Sequence, residues 1–175
     1  MLFLFSIASL TSFAQDVTVV GGEEMYPTKD IVDNAVNSKD HTTLVAAVKA
    51  AGLVETLKSD GPFTVFAPTN DAFENLPDGT VATLLKPENK GQLTSVLTYH
   101  VLAGKYDFKS LSKLIKKGKG TASLKTVAGG MLTFKMNGDR NITVTDAKGN
   151  TANVSVYDVY QSNGVIHVVD KVLLP

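Results

Sequence analysis

The sequence predicts an α+β fold, and three observations carry that expectation. Apolar residues recur at helical spacing from Ile31 to Ile115, with two short strand-like stretches set among them. After Gly118 the pattern changes to short runs punctuated by Gly129-Gly130, Asn137-Gly138, Lys148-Gly149 and Asn163-Gly164. Helices first and a β-meander last indicate segregated rather than alternating elements. The third observation is Gly61 to Phe73, a single piece holding a turn, a core strand and a capped helix.

That piece starts with the turn signal Ser59-Asp60-Gly61-Pro62. Phe63, Thr64, Val65 and Phe66 are β-branched or aromatic and read as a strand. Pro68 has no N–H to donate, so the strand stops there. Thr69 is placed to N-cap a short helix, with Asp71 near its positive end.

The remaining elements follow in order. A helix is predicted from Thr28 through Ile31, Val32, Ala35 and Val36, and a second from His41 or Thr42 to Gly52. Leu53, Val54 and Leu57 continue the apolar face. Thr80 is expected to cap a short helix, and Glu88 to Leu97 forms a longer one with Leu93, Val96 and Leu97 on one side. Tyr99 to Leu102 reads as a strand, and Leu111, Leu114 and Ile115 mark a further amphipathic helix. Five strands are predicted after it: Ala122 to Val127, Met131 to Met136, Ile142 to Thr145, Asn153 to Tyr160 and Val165 to Leu173.

Length and composition narrow the class. The chain has 175 residues, 43% of them hydrophobic, enough for one domain with a substantial core. Seventeen basic residues against 17 acidic ones give no footprint for nucleic acid. With no Cys there is no disulfide, no thiolate nucleophile and no Cys-based zinc site. Leu2 to Leu10 is an apolar run ending near Ser12-Phe13-Ala14, which reads as an export leader over residues 1–15. It is shorter than the ~20 residues that span a bilayer. Residues 16–29 then form an N-terminal arm, and residues 30–175 a single domain.

Three stretches together resemble a known family. They are Phe63-Thr-Val-Phe66-Ala-Pro68-Thr69-Asn70-Asp71-Ala-Phe73, the central Tyr99-His100 pair, and Asn163-Gly164-Val-Ile-His167-Val-Val-Asp170. In this order and separation they resemble a fasciclin-like domain, matching from about Ile31 to Pro175. The resemblance implies a wedge of two β-sheets with helices packed along one edge. It also implies adhesion or matrix binding without catalysis, and in animal relatives the region of the Tyr-His pair is associated with cell adhesion. Here the strand-like alternation of Val101 and Leu102 favours core packing for that region.

Candidate chemistry is sparse. The three histidines, His41, His100 and His167, have no metal-ligand spacing. His41 is expected to be an exposed neighbour of a helix start, and His100 and His167 half-buried on strands. Thr69, Asp71 and His100 are expected to tie the first helical layer to the sheet by side-chain-to-backbone hydrogen bonds. No Gly-x-Ser-x-Gly elbow and no phosphate-binding Gly-x-x-x-x-Gly-Lys loop is present. Lys113, Lys116, Lys117 and Lys119 form a basic cluster at a helix C-terminus, where they favour the dipole and offer a contact for a polyanion. Asn141-Ile-Thr143 and Asn153-Val-Ser155 match the glycosylation sequon but fall inside predicted strands.

The expectation is therefore an exported, non-enzymatic adhesion or matrix-binding module, secreted, periplasmic or on the cell surface. Its partner would be a protein or polysaccharide; no cofactor, metal, nucleic acid or membrane span is expected, and a monomer is favoured. The alternatives are a carrier of an apolar ligand such as a pigment or lipid, as some members of the family are, and a hydrolase.

Overall fold

The computed structural model describes residues 17–175, so the leader expected over residues 1–15 lies outside the described residues. The arm is a hairpin, β1 (Thr18–Val20) paired antiparallel to β2 (Glu23–Met25) across Gly21-Gly22. It buries Val20 and Met25 against the body.

Helices follow, each with a local reason to start or stop. Helix α1 (Ile31–Ala35) begins later than the Thr28 expected, because the Asp30 carboxylate caps it by accepting from Asp33 N at 2.8 Å. Helix α2 (Thr42–Ala51) stops at Gly52, whose φ of +73° suits the left-handed C-cap. Helix α3 (Val54–Lys58) leads into β3 (Phe63–Pro68). Beyond it lie α4 (Asn70–Glu74) and α5 (Thr80–Leu84). Gly79 rather than Thr80 occupies the N-cap of α5.

Helix α6 (Lys90–Tyr99) runs through Tyr99, with His100 at its C-cap, and β4 (Val101–Ala103) starts only after it. Of the strand predicted over Tyr99 to Leu102, Tyr99 is helical, His100 is the helix cap, and only Val101 and Leu102 are strand. The buried face of Leu93, Val96, Leu97 and Tyr99 holds the helical period to its end, outweighing the strand propensity of Tyr99. Helix α7 (Phe108–Lys117) starts where Asp107 accepts from Ser110 N at 2.7 Å. It buries Leu111 and Ile115.

The meander comprises β5 (Ala122–Lys125), β6 (Met131–Met136), β7 (Ile142–Thr145), β8 (Thr151–Gln161) and β9 (Gly164–Val169). Strand β9 is shorter than predicted, since the chain leaves the sheet after Val169. The seven strands run in the order β4-β3-β9-β8-β7-β6-β5, with β3 and β9 parallel and the other pairs antiparallel. A bridge from Leu102 to Thr126 links the two edges, so the sheet nearly closes on itself. Register shifts between Val154 and Val159 interrupt the pairing of β8 with β9, while its start pairs with β7.

Two cores result from strand alternation. On β3, Val65 and Ala67 face the helices with Leu44, Val48, Leu93 and Ile166. Phe66 faces the other way, into the curled sheet, with Tyr99, Leu111, Phe134 and Val144.

Candidate functional site

The polar residues of the three stretches are mostly joints between elements. Thr69 caps α4 through Ala72 N at 3.3 Å, and its own N–H bonds Val169 O at 3.3 Å. Asn70 holds the start of α2: its Oδ1 accepts from Thr43 N at 3.0 Å and its Nδ2 donates to Lys39 O at 2.9 Å. Pro68 ends β3 opposite Val169, and Phe73 is buried in the helical core. Asp71 departs from expectation. It is exposed on α4 and takes no part with His100, because the helical turn points it to solvent while its neighbours Ala72 and Phe73 go inward.

His100 sits at the end of α6 rather than on a strand. Its Nδ1 donates to Val96 O at 2.8 Å, and its Nε2 accepts from Leu173 N at 2.9 Å. One ring nitrogen gives and the other takes, which fixes a neutral tautomer. Complete burial pushes its pKa down to about 4, against the weaker opposing effects of the Val96 carbonyl and Asp146. His167 is built the same way: Nε2 donates to Tyr106 O at 2.8 Å and Nδ1 accepts from Asp158 N at 3.4 Å. Burial lowers its pKa too, opposed by the Tyr106 carbonyl, Asp158 and Asp107. Its ring stacks on Phe66 at 5.5 Å. Both ring nitrogens of each histidine are thus bonded to backbone.

Tyr99 is fully buried; its hydroxyl donates to Met131 O at 2.7 Å and accepts from Ala147 N at 2.9 Å. Asn163 joins three segments. Its Oδ1 accepts from Ile31 N at 3.1 Å, and its Nδ2 donates to Leu57 O at 2.8 Å and Ser59 O at 2.9 Å. Gly164 is required beside it, since a Cβ there would overlap Phe63 O. Asp170 binds Asn153 twice, accepting from its N at 2.7 Å and its Nδ2 at 2.8 Å. The Asn153 amide of the second sequon is thereby engaged.

Two features escaped sequence reasoning. Asp146, buried in the β7–β8 turn, accepts from Lys148 N, Asn150 N, Asn150 Nδ2 and Leu174 N, all at 2.8–2.9 Å. The Asp-x-x-Gly-Asn turn was its only local signal. His41, expected to be exposed, is buried, with Nδ1 at 2.8 Å from Ser38 Oγ. Ser38 and His41 resemble part of a hydrolytic pair, but both are buried, and among the described residues no carboxylate hydrogen-bonds the ring. Gly21 of the hairpin turn sits directly on Ser38, the partner of His41 Nδ1.

The lysines behave differently. Lys113, Lys116, Lys117 and Lys119 are exposed, and none joins an ion pair among the described residues. They belong to a longer asymmetry, since residues 108–138 hold seven Lys and no Asp or Glu. The rest of this neutral chain is correspondingly acidic. Among the described residues there is no group of acidic, His or Cys side chains able to hold a metal, and no helix long and apolar enough to cross a membrane.

The sequence model of the fasciclin domain matches residues 39–175. The chain belongs to the fasciclin domain family. Protein sll1483 of Synechocystis sp. is 45% identical over 98% of this chain and 96% of its own length. The transforming growth factor-beta-induced protein ig-h3 of Sus scrofa is 35% identical over 85% of this chain, which spans only 20% of that larger protein. The solved FAS1 domain pair of the insect cell adhesion molecule fasciclin I superposes with a TM-score of 0.73 over 86% of this chain and 52% of that one. At 20% identity that match shows the fold: a mixed α+β domain with a nearly closed sheet.

Proposed function

We propose that this chain is an exported, non-enzymatic binding module that contacts an acidic polysaccharide of a cell surface or matrix through the lysine face of α7. The observation that carries this reading is the unpaired, exposed lysine cluster within a segment lacking any acid, on a protein of zero net charge. Helix-dipole compensation accounts for Lys116 and Lys117 in the last turn, but Lys113 lies a turn earlier and Lys119 beyond the end. The apolar run over residues 2–10 supports export.

Catalysis is not part of the reading, because His100 and His167 are committed to backbone on both sides. A pigment carrier is not favoured either, since the apolar cavity within the body measures only about 90 Å3.

Co-sedimentation with an alginate-type polyuronate tests the proposal. Binding is expected at low ionic strength and is expected to fall steeply as salt rises toward 0.5 M. Replacing Lys113, Lys116, Lys117 and Lys119 with Gln should abolish it while lowering stability by no more than the ~0.3–1 kcal/mol of the helix-end contribution. Salt-insensitive binding, or full binding by the quadruple variant, would overturn the assignment. Capture of a protein in its place would redirect it to a protein partner, and recovery of the native chain solely in cytosol would remove the export claim.

A further inference from the structure

The dipeptide Asn-Gly occurs twice, at Asn137-Gly138 and Asn163-Gly164, and every other Asn precedes a residue with a Cβ. Asn is a thermally labile side chain. Its amide carbon lies within reach of the next backbone nitrogen, and glycine, with no Cβ, shields that nitrogen least. The same two residues thus meet the same chemistry in two different surroundings.

At the second site the fold blocks it. Asn163 is 7% exposed, and its amide is fixed by Ile31 N at 3.1 Å, Leu57 O at 2.8 Å and Ser59 O at 2.9 Å. Gly164 opens β9, in register with Phe63 and Gln161. The Asn163 amide carbon cannot swing onto Gly164 N without losing those bonds.

At the first site nothing holds the amide. Asn137 follows the end of β6 and is exposed. Its N–H donates to Asn141 O at 2.8 Å, but its side chain makes no hydrogen bond among the described residues. Gly138, Asp139 and Arg140 are also exposed, and none of them donates a backbone hydrogen bond there. A Cβ at Gly138 would meet nothing within 4 Å, so a closing ring and an attacking water both have room. The neighbouring Met136 Sδ lies 3.8 Å from Ser112 Oγ, which places Asn137 beside α7.

We propose that Asn137 is a self-modification site that deamidates through a succinimide, with water as its co-reactant. Gly138 N attacks Asn137 Cγ and gives up its proton. As that C–N bond forms, the Cγ–Nδ2 bond breaks and the side-chain nitrogen leaves as ammonia. Water then opens the five-membered ring. Addition at Cγ yields aspartate, and addition at the Asn137 main-chain carbonyl yields isoaspartate. Either product sets a carboxylate beside α7 where a neutral amide stood. The site does not depend on the polysaccharide reading.

The test holds the full chain at mildly alkaline pH in heavy-oxygen water, folded and, in parallel, unfolded in urea, and follows its peptides by mass. In the folded protein the Asn137 peptide should become acidic and take up heavy oxygen while the Asn163 peptide stays intact. Isoelectric focusing should show a new form more acidic by one charge. Conversion at Asn137 should outpace that at Asn163 by at least about ten-fold, since each hydrogen bond lost at Asn163 slows ring closure several-fold. In urea the two rates should converge. Asn137→Gln should keep a single charge form, because its longer side chain closes a ring more slowly. An intact Asn137 in the folded chain, equal rates at the two sites when folded, a rate difference that persists in urea, or an acidic form that persists in Asn137→Gln would each overturn the proposal. The α7 Lys-to-Gln variant should still convert at Asn137, so this proposal and the surface assignment fail separately.

Discussion

Lowering the pH from about 7.5 to about 5 removes stability that His100 supplies. Its folded pKa is about 4 against an ordinary 6.5, so the unfolded chain binds a proton more readily than the folded one. The stabilisation is complete above pH 6.5 and is lost as pH falls from there toward 4. At about pH 5 the deficit from this one group is ~2 kcal/mol, from 1.36 kcal/mol per pH unit over the ~1.5 units below the unfolded pKa. The structural cause is specific: a proton arriving on Nε2 would face the Leu173 N–H that this nitrogen now accepts. His41 and His167, also lowered by burial, act in the same direction. Asp107, held below the usual carboxylate range chiefly by its hydrogen bond with the Ser110 side chain, titrates below this window. Urea unfolding at the two pH values, with the slope m checked for constancy, reads the change. His100→Gln should be less stable at pH 7.5 but show a shallower decline toward pH 5. A parent protein of unchanged stability across this range, or an undiminished decline in His100→Gln, would refute the reasoning.

The other expectations concern single joints. Asp71→Asn should shift unfolding by less than about 0.5 kcal/mol, as for an exposed surface substitution, and thermal melts would show it. Asn163→Ala leaves Ile31 N, Leu57 O and Ser59 O without their partner, so chemical denaturation should show a loss of about 2–4 kcal/mol. Phe66→Ala, at a fully buried position packed on Phe134 and His167, should lose ~3–5 kcal/mol in the same assay.

Local chemistry was readable wherever the cause lies within a few residues. Phe63 to Pro68 is a strand that ends at its proline, Thr69 caps the helix after it, and Gly52 stops α2. The apolar stripe of α7 and its lysine face follow from spacing alone. The polar residues were harder, because the same side chain can cap, join or dangle. Thr69 and Asp71 are two residues apart, yet one is a joint and the other faces water. Which one does which depends on the direction of a single helical turn against the core.

Period, caps and turn residues determined the class of this protein and most of its elements, because those forces act over three or four positions. Tertiary structure decided the rest. It turned Tyr99 into the end of a helix, placed a hairpin turn over Ser38, and brought Asn163 within reach of Ile31 across the whole domain. Those outcomes depend on how far packing can exclude water from a polar group, and that is a property of the assembled layers and not of any short stretch of chain.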